Sequence, residues 1–169
     1  MSIIIEGLVI ENNAFKDRND ITSIVIENTI TSIGESAFEG CSELLSVVIS
    51  DACTSIGDGA FAGCSKLTSV IIPDSCTSID NFAFCDCSGM TSVHIPDSVT
   101  SIGSGAFGEC SGLTSVIIPD SVTSIGVEAF WNCIGLEAIN APSQFLTNDI
   151  FTGVPQIALE THVPLYIFK

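Results

Sequence analysis

Eight cysteines, two histidines and a recurring aspartate are the residues of this 169-residue chain best equipped for chemistry, and their spacing decides which chemistry is open to them. Cys41, Cys64, Cys87, Cys110 and Cys133 follow one another at intervals of 23 residues. Zinc is usually held by pairs roughly two to four residues apart with a second pair facing the same ion. Cys85-x-Cys87 is too tight for that, and no second pair accompanies it. An even cysteine count in a short chain can mark a disulfide scaffold, but the interval places the five periodic thiols in one small apolar column beside a phenylalanine. Cys53 and Cys76 fall in a second apolar column with Ile30, Val99 and Val122. Successive repeats bring those two within reach, though parallel Cβ vectors suit the bond poorly. Asp51, Asp74, Asp97 and Asp120 also recur at 23; one carboxylate per repeat is a sparse set for calcium, and a turn role explains the column. His94 stands at an outward strand position and His162 in the C-terminal segment. Serines and aspartates recur once per repeat, so no subset stands out as a catalytic triad. The expectation is a non-enzyme without metal or cofactor.

The interval itself is the main signal. Pro96–Phe107 and Pro119–Phe130 differ only at Ser104/Val127 and Gly105/Glu128. The Ala-Phe pair recurs at Ala14-Phe15, Ala37-Phe38, Ala60-Phe61, Ala83-Phe84, Ala106-Phe107 and Ala129-Phe130 without an insertion. Two further columns, Ile10 to Ile125 and Ile21 to Leu136, keep step. A fixed period of this length is the signature of a solenoid. The register runs from about Ile3 to Asn140 and fades where Asn148 occupies the isoleucine column. The expected organisation is therefore about six repeats over 1–141 and an aperiodic segment over 142–169, rich in Phe145, Ile150, Phe151, Leu159, Tyr166 and Phe168, that caps the last coil, with Trp131 partly sheltered beneath it.

Composition agrees with one continuous core. Apolar residues make up 46% of the chain, yet Ser, Thr, Gly and Pro interrupt every apolar stretch. None approaches the roughly 18 residues of a membrane helix, so no membrane insertion is expected. The N-terminal "MSIIIEGLVIENNAF" lacks the basic region of a secretory signal. A complete chain of this kind is expected in the cytoplasm, a fragment of a longer one at the cell surface or secreted. Four Lys+Arg against 20 Asp+Glu give a net charge of −16, which favours solubility and repels phosphate backbones. Nucleic acid is not an expected partner.

Within one repeat, "GLTSVIIPDSVTSIGVEAFWNCI", Val116 and Ile118 alternate with Ser115 and Ile117, the period of a half-buried strand. Pro119 ends it, because proline gives no ladder donor, and Pro-Asp-Ser supplies the turn. Val122 and Ile125 are the next inward anchors, with Gly126 expected at positive φ. "VEAFWNC" reads as one helical or 3₁₀ turn. The inward side chains of one coil do not offset the backbone entropy of fixing it. Stacking covers each coil's open faces with the next, and a one-dimensional stack needs the same cross-section at every level.

The unit "L-x-S-V-x-I-P-x-S-V-T-S-I-G-x-x-A-F-x-x-C-x-x" resembles the 23-residue leucine-rich repeat of the BspA-like family over roughly residues 3–141. The resemblance implies a repeat solenoid: a leucine-rich-repeat type right-handed coil stack with a parallel β-sheet and short strand or helical-turn segments on its other faces. It also implies protein binding, since family members include surface adhesins that attach to host or matrix proteins and to other cells.

The expected function is a non-catalytic protein-binding solenoid, adhesin-like or a scaffold module, that uses the outward face of its parallel sheet. The candidate site is the outward column Val25, Val48, Ile71, His94 and Ile117 with the neighbouring hydroxyls of Ser69, Ser92 and Ser115. A contiguous apolar stripe on a soluble protein marks an interaction surface, although β-branched residues also favour strands that face solvent. The alternative is a structural or surface-array role in which the ladder Thr31, Thr54, Thr77, Thr100 and Thr123 orders water, as ice-binding surfaces do. The N-terminal coil, with little before it to cover its cross-section, is the expected edge for self-association.

Overall fold

The computed structural model describes residues 1–146 and 149–155. The sequence-based expectations for Asn148, His162 and the apolar tail residues Leu159, Tyr166 and Phe168 lie outside the described residues.

Each coil lays down two strands and a run of turns. The first strand of successive coils is β1 (Ser2–Ile5), β3 (Ser23–Ile26), β5 (Ser46–Val48), β7 (Ser69–Ile71), β9 (Ser92–His94), β11 (Ser115–Ile117) and β13 (Ala138–Asn140). The second is β2 (Val9–Ile10), β4 (Ser32–Ile33), β6 (Ser55–Ile56), β8 (Ser78–Ile79), β10 (Ser101–Ile102) and β12 (Ser124–Ile125). All pairings are parallel. The second strands form one uninterrupted six-stranded sheet, whereas the first strands form three shorter sheets, β1-β3-β5, β7-β9 and β11-β13. One 3₁₀ turn, Ser143–Phe145, follows the last strand. Over the described residues the fold is a parallel-strand solenoid of about six turns with almost no helix.

The core is a set of ladders running the length of the stack. Phe38, Phe61, Phe84, Phe107 and Phe130 are fully buried. From Phe15 to Phe151 each ring stacks on the next at centroid separations of 5.1 to 5.5 Å, the offset parallel geometry that ring quadrupoles favour. The ladder therefore outlasts the 23-residue register. Phe151 stands 21 residues after Phe130, and the Phe130 amide donates to the Ile150 carbonyl, as the Phe107 amide does to Ala129. A two-residue shortening also occurs at the other end, where Ser2–Ile5 pairs with Ser23–Ile26 at an offset of 21. Counting by 23 from Val25 lands on Ser2, so the register expected from about Ile3 does not hold for the first strand.

The expected helical turn is instead a succession of hydrogen-bonded β-turns. In the last full repeat the Trp131 amide donates to Glu128 and that of Cys133 to Phe130, while those of Phe130 and Asn132 donate across to Ile150 and Thr152. Two columns per coil take positive φ, one through Ser36, Gly59, Phe82, Gly105 and Glu128, the other through Gly40, Gly63, Asp86, Glu109 and Asn132. A left-handed residue breaks helical continuation and suits the third position of a type II turn. Gly126 is not one of these residues. It is glycine because a Cβ there would collide with the Ser104 backbone nitrogen of the preceding coil.

Candidate protein-binding face

The first-strand face is built by simple alternation. In β5, β7, β9, β11 and β13 the middle residue faces inward and its neighbours outward, and in the four-residue β3 Ile24 and Ile26 face inward and Ser23 and Val25 outward, because successive strand side chains point to opposite faces. Val25 (42% exposed), Val48 (59%), Ile71 (72%) and Ile117 (61%) form one outward column with exposed His94. Ser69, Ser92 and Ser115 lie exposed beside it. Strand register places Val25 beside Val48, Ile71 beside His94 and Ile117 beside Asn140. Exposed Asp51, Asp74, Asp97 and Asp120 line the turns at one rim.

The period missed one member. Ile4, 66% exposed, pairs with Val25 and extends the column by a level. Its signal was the matching run Ser2-Ile3-Ile4-Ile5 and Ser23-Ile24-Val25-Ile26, hidden by the shorter offset. Leu45, 51% exposed in the column just before the serines, was also missed; Thr22, Thr68, Thr91 and Thr114 fill its column elsewhere.

The other reactive residues are occupied structurally. Cys41, Cys64, Cys87, Cys110 and Cys133 each donate their thiol to the carbonyl of the phenylalanine 26 residues earlier, at 3.0 to 3.3 Å. Cys53 and Cys76 are free thiols that donate to the carbonyls of Ser55 and Ser78. Burial pushes the thiols of Cys76 and Cys133 up to about 12 and those of Cys87 and Cys110 well above the usual cysteine range, so none is poised as a nucleophile. Among the described residues no group of three or more His, Cys, Asp or Glu is arranged to hold a metal ion. Nor is any helix there long and apolar enough to cross a membrane.

The threonine ladder is also committed. Thr31, Thr54, Thr77, Thr100 and Thr123 donate their hydroxyls to the carbonyl of the residue 23 earlier, at 3.1 to 3.4 Å. Trp131 is 37% exposed, its indole close over Gly108 of the preceding coil.

A family model of the BspA type leucine rich repeat region matches residues 8–137 and 77–157, with six copies. The chain belongs to the BspA-type leucine-rich repeat family. Solved structures similar to it are themselves leucine-rich repeat proteins. A leucine rich cell surface protein from Faecalibacterium prausnitzii is 32% identical with a TM-score of 0.59, over 82% of this chain and 47% of that one. The Treponema pallidum (T. pallidum) leucine rich repeat protein is 24% identical with a TM-score of 0.57, over 83% and 58%. The pneumococcal vaccine antigen PcpA is 21% identical with a TM-score of 0.73, over 84% and 40%; these last two show the fold alone. The chain matches about half the length of such structures. A comparison with curated proteins gave no match. Family and fold together support a repeat protein-interaction module.

Proposed function

We propose that the outward face of the first-strand sheets binds a protein partner in an adhesin-like or scaffold role, with Val25, Val48, Ile71, His94 and Ile117 as its centre and Ser69, Ser92 and Ser115 beside them. The carrying observation is the column of exposed aliphatic side chains, from Ile4 at 66% to Ile117 at 61% with His94 among them, on a face made of three strand-paired stretches. Thr would face water equally well on a strand, and this chain uses it freely one face away. An exposed apolar patch of this kind marks an interaction site, and a preorganised sheet loses little conformational freedom on docking. The similarity to a cell surface protein supports an extracellular setting.

The test is Ile71→Lys together with Ile117→Lys, assayed on immobilised extracellular-matrix proteins that retain the parent chain. The expected result is at least a tenfold loss of affinity with circular dichroism and Tm preserved. Unchanged affinity would place the interface on the turn rims or the other sheet, and loss of folding would show the column to be core.

A further inference from the structure

The aliphatic column has one polar interruption among its exposed positions, and a pocket lies beside it. His94 lines an open pocket of about 460 Å³ together with Asp74, Pro96, Asp97 and Ser98. Three observations bear on this level, and the first of them, with the exposure of Val93, sets it apart from its neighbours. First, the Ser98 hydroxyl oxygen is buried and has no hydrogen-bond partner. Its counterparts one repeat away, Ser75 and Ser121, donate to the carbonyls of Cys53 and Val99. Second, strand pairing is interrupted between β9 and β11, and Val93 is only half-buried where Val70 and Val116 are buried. Third, the two carboxylates of the pocket face no cation of their own chain among the described residues: Lys16, Arg18 and Lys66 are paired with Glu39, Asp20 and Glu43.

A buried hydroxyl without a partner carries a desolvation cost that a ligand donor would relieve. Two carboxylates in the same pocket call for a cation with several donors. An imidazole offers a flat face on which a planar cation can stack. Guanidinium meets all three demands, since it presents five N–H donors in a rigid plane, whereas ammonium is a compact point charge. We propose that this pocket seats an arginine side chain of the protein partner. Asp74 and Asp97 accept its N–H groups, the Ser98 hydroxyl turns toward the pocket so that its oxygen accepts another, His94 packs against its plane, and Ile71 and Ile117 take the apolar residues on either side. The partner surface is then basic at its centre and aliphatic around it, complementary to a chain of net charge −16.

This assignment rests on the sheet face being the interface, but it is tested with a probe too small to need the aliphatic column. The probe is N-acetyl-arginine methylamide, titrated into the isotopically labelled chain and followed by amide NMR, with the citrulline analogue as the neutral isostere and the lysine analogue as the point-charge control. The expected result is saturable shifts at His94, Asp97 and Ser98 with arginine, none with citrulline, at least threefold weaker binding of lysine, and at least tenfold weaker binding of arginine by the folded Asp74→Asn/Asp97→Asn variant. Equal shifts at Asp51 and Asp120 would reduce the effect to general attraction by the acidic rim and overturn the pocket. Equal binding of arginine and lysine would overturn the guanidinium assignment, and no saturable shift would overturn both. Failure here leaves the Ile71/Ile117 experiment to decide the sheet face separately.

Discussion

The thiol of Cys110 donates to the carbonyl oxygen of Phe84, 3.1 Å away in the preceding coil, and that same oxygen accepts the Cys87 amide of its own coil. A repeat position that asks for a small, apolar, donor-bearing side chain is met by cysteine at five successive levels. The column is therefore a structural ladder, and its sulfur atoms react only when the coil opens.

Cys85 differs. It occupies a column with Lys16, Glu39, Ala62, Gly108 and Trp131 and is half-buried where the other seven thiols are buried. Burial raises its pKa, with Glu109 and Asp86 adding to the effect, so its reaction is expected to be slow near neutrality and faster in mild alkali. Iodoacetamide should nevertheless modify it first. Buried thiols wait for unfolding, and folded domains hold unfolded fractions near 10⁻³ or lower, so Cys64 and Cys110 should lag by at least about a thousandfold. Peptide mass spectrometry over a labelling time course reads this directly, and comparable labelling of Cys110 and Cys85 would show that the turn face is not assembled as described.

What the amino-acid sequence disclosed follows from what repeats. Columns such as Phe38 to Phe130 and Cys41 to Cys133 keep their chemistry at each level because their environment is the same at each level, and strict alternation in Ser115-Val116-Ile117 separates inward from outward. The turn geometry was less legible because its left-handed positions are filled by Ser36, Gly59, Phe82, Gly105 and Glu128, a set with no common residue type. The stack between coils, through bonds such as Phe107 amide to Ala129 carbonyl, holds that backbone whatever side chain it carries. The ladder positions of Ile4 and Phe151 escaped for a different reason: each keeps its place in a ladder after two residues have been removed from the chain between levels, so a rigid count passes over the match even though Phe151 reads as a capping residue.

Gly126 and Glu128, two residues apart, make opposite demands on the backbone. At Gly126 the φ is ordinary but a Cβ would strike Ser104 of the coil below. At Glu128 the φ is 59°, a left-handed conformation that costs a side-chain-bearing residue about 1–2 kcal/mol. Gly126→Ala should therefore destabilise the chain by about 1–3 kcal/mol through overpacking. Glu128→Gly should stabilise it by up to about 1 kcal/mol, the relief of strain being partly offset by the freedom glycine adds to the unfolded chain. Guanidinium chloride midpoints with unchanged m-values check both signs; a destabilised Glu128→Gly would mean that its side chain contributes more than its backbone costs.

Asp80 occupies the column that holds Gly34, Gly57, Gly103 and Gly126 at the other levels. Its amide keeps the ladder bond to the Ile56 carbonyl at 3.1 Å, longer than the 2.8 to 2.9 Å of the glycine levels. Burial, and after it the nearby Asp58 carboxylate, raise its pKa. A carboxyl with a raised folded-state pKa binds its proton more tightly in the native chain than in the unfolded one, so stability falls as pH climbs through the usual carboxylate range and the penalty is complete at neutrality. Asp20 has the opposite sign: the Arg18 guanidinium holds it at about 2, and its contribution is lost as pH falls from about 4 toward that value. Asp80→Asn removes only the first effect. It should raise Tm at pH 7 by an amount corresponding to less than about 1 kcal/mol, since the group is exposed enough for solvent to screen it, and the gain should vanish at pH 3, where parent and variant are both neutral at this position. Thermal melts of the two proteins at the two pH values decide it. An equal gain at both would assign the effect to the packing of the amide rather than to the carboxylate's charge, and a loss at pH 7 would show that ionised Asp80 is stabilised by its surroundings.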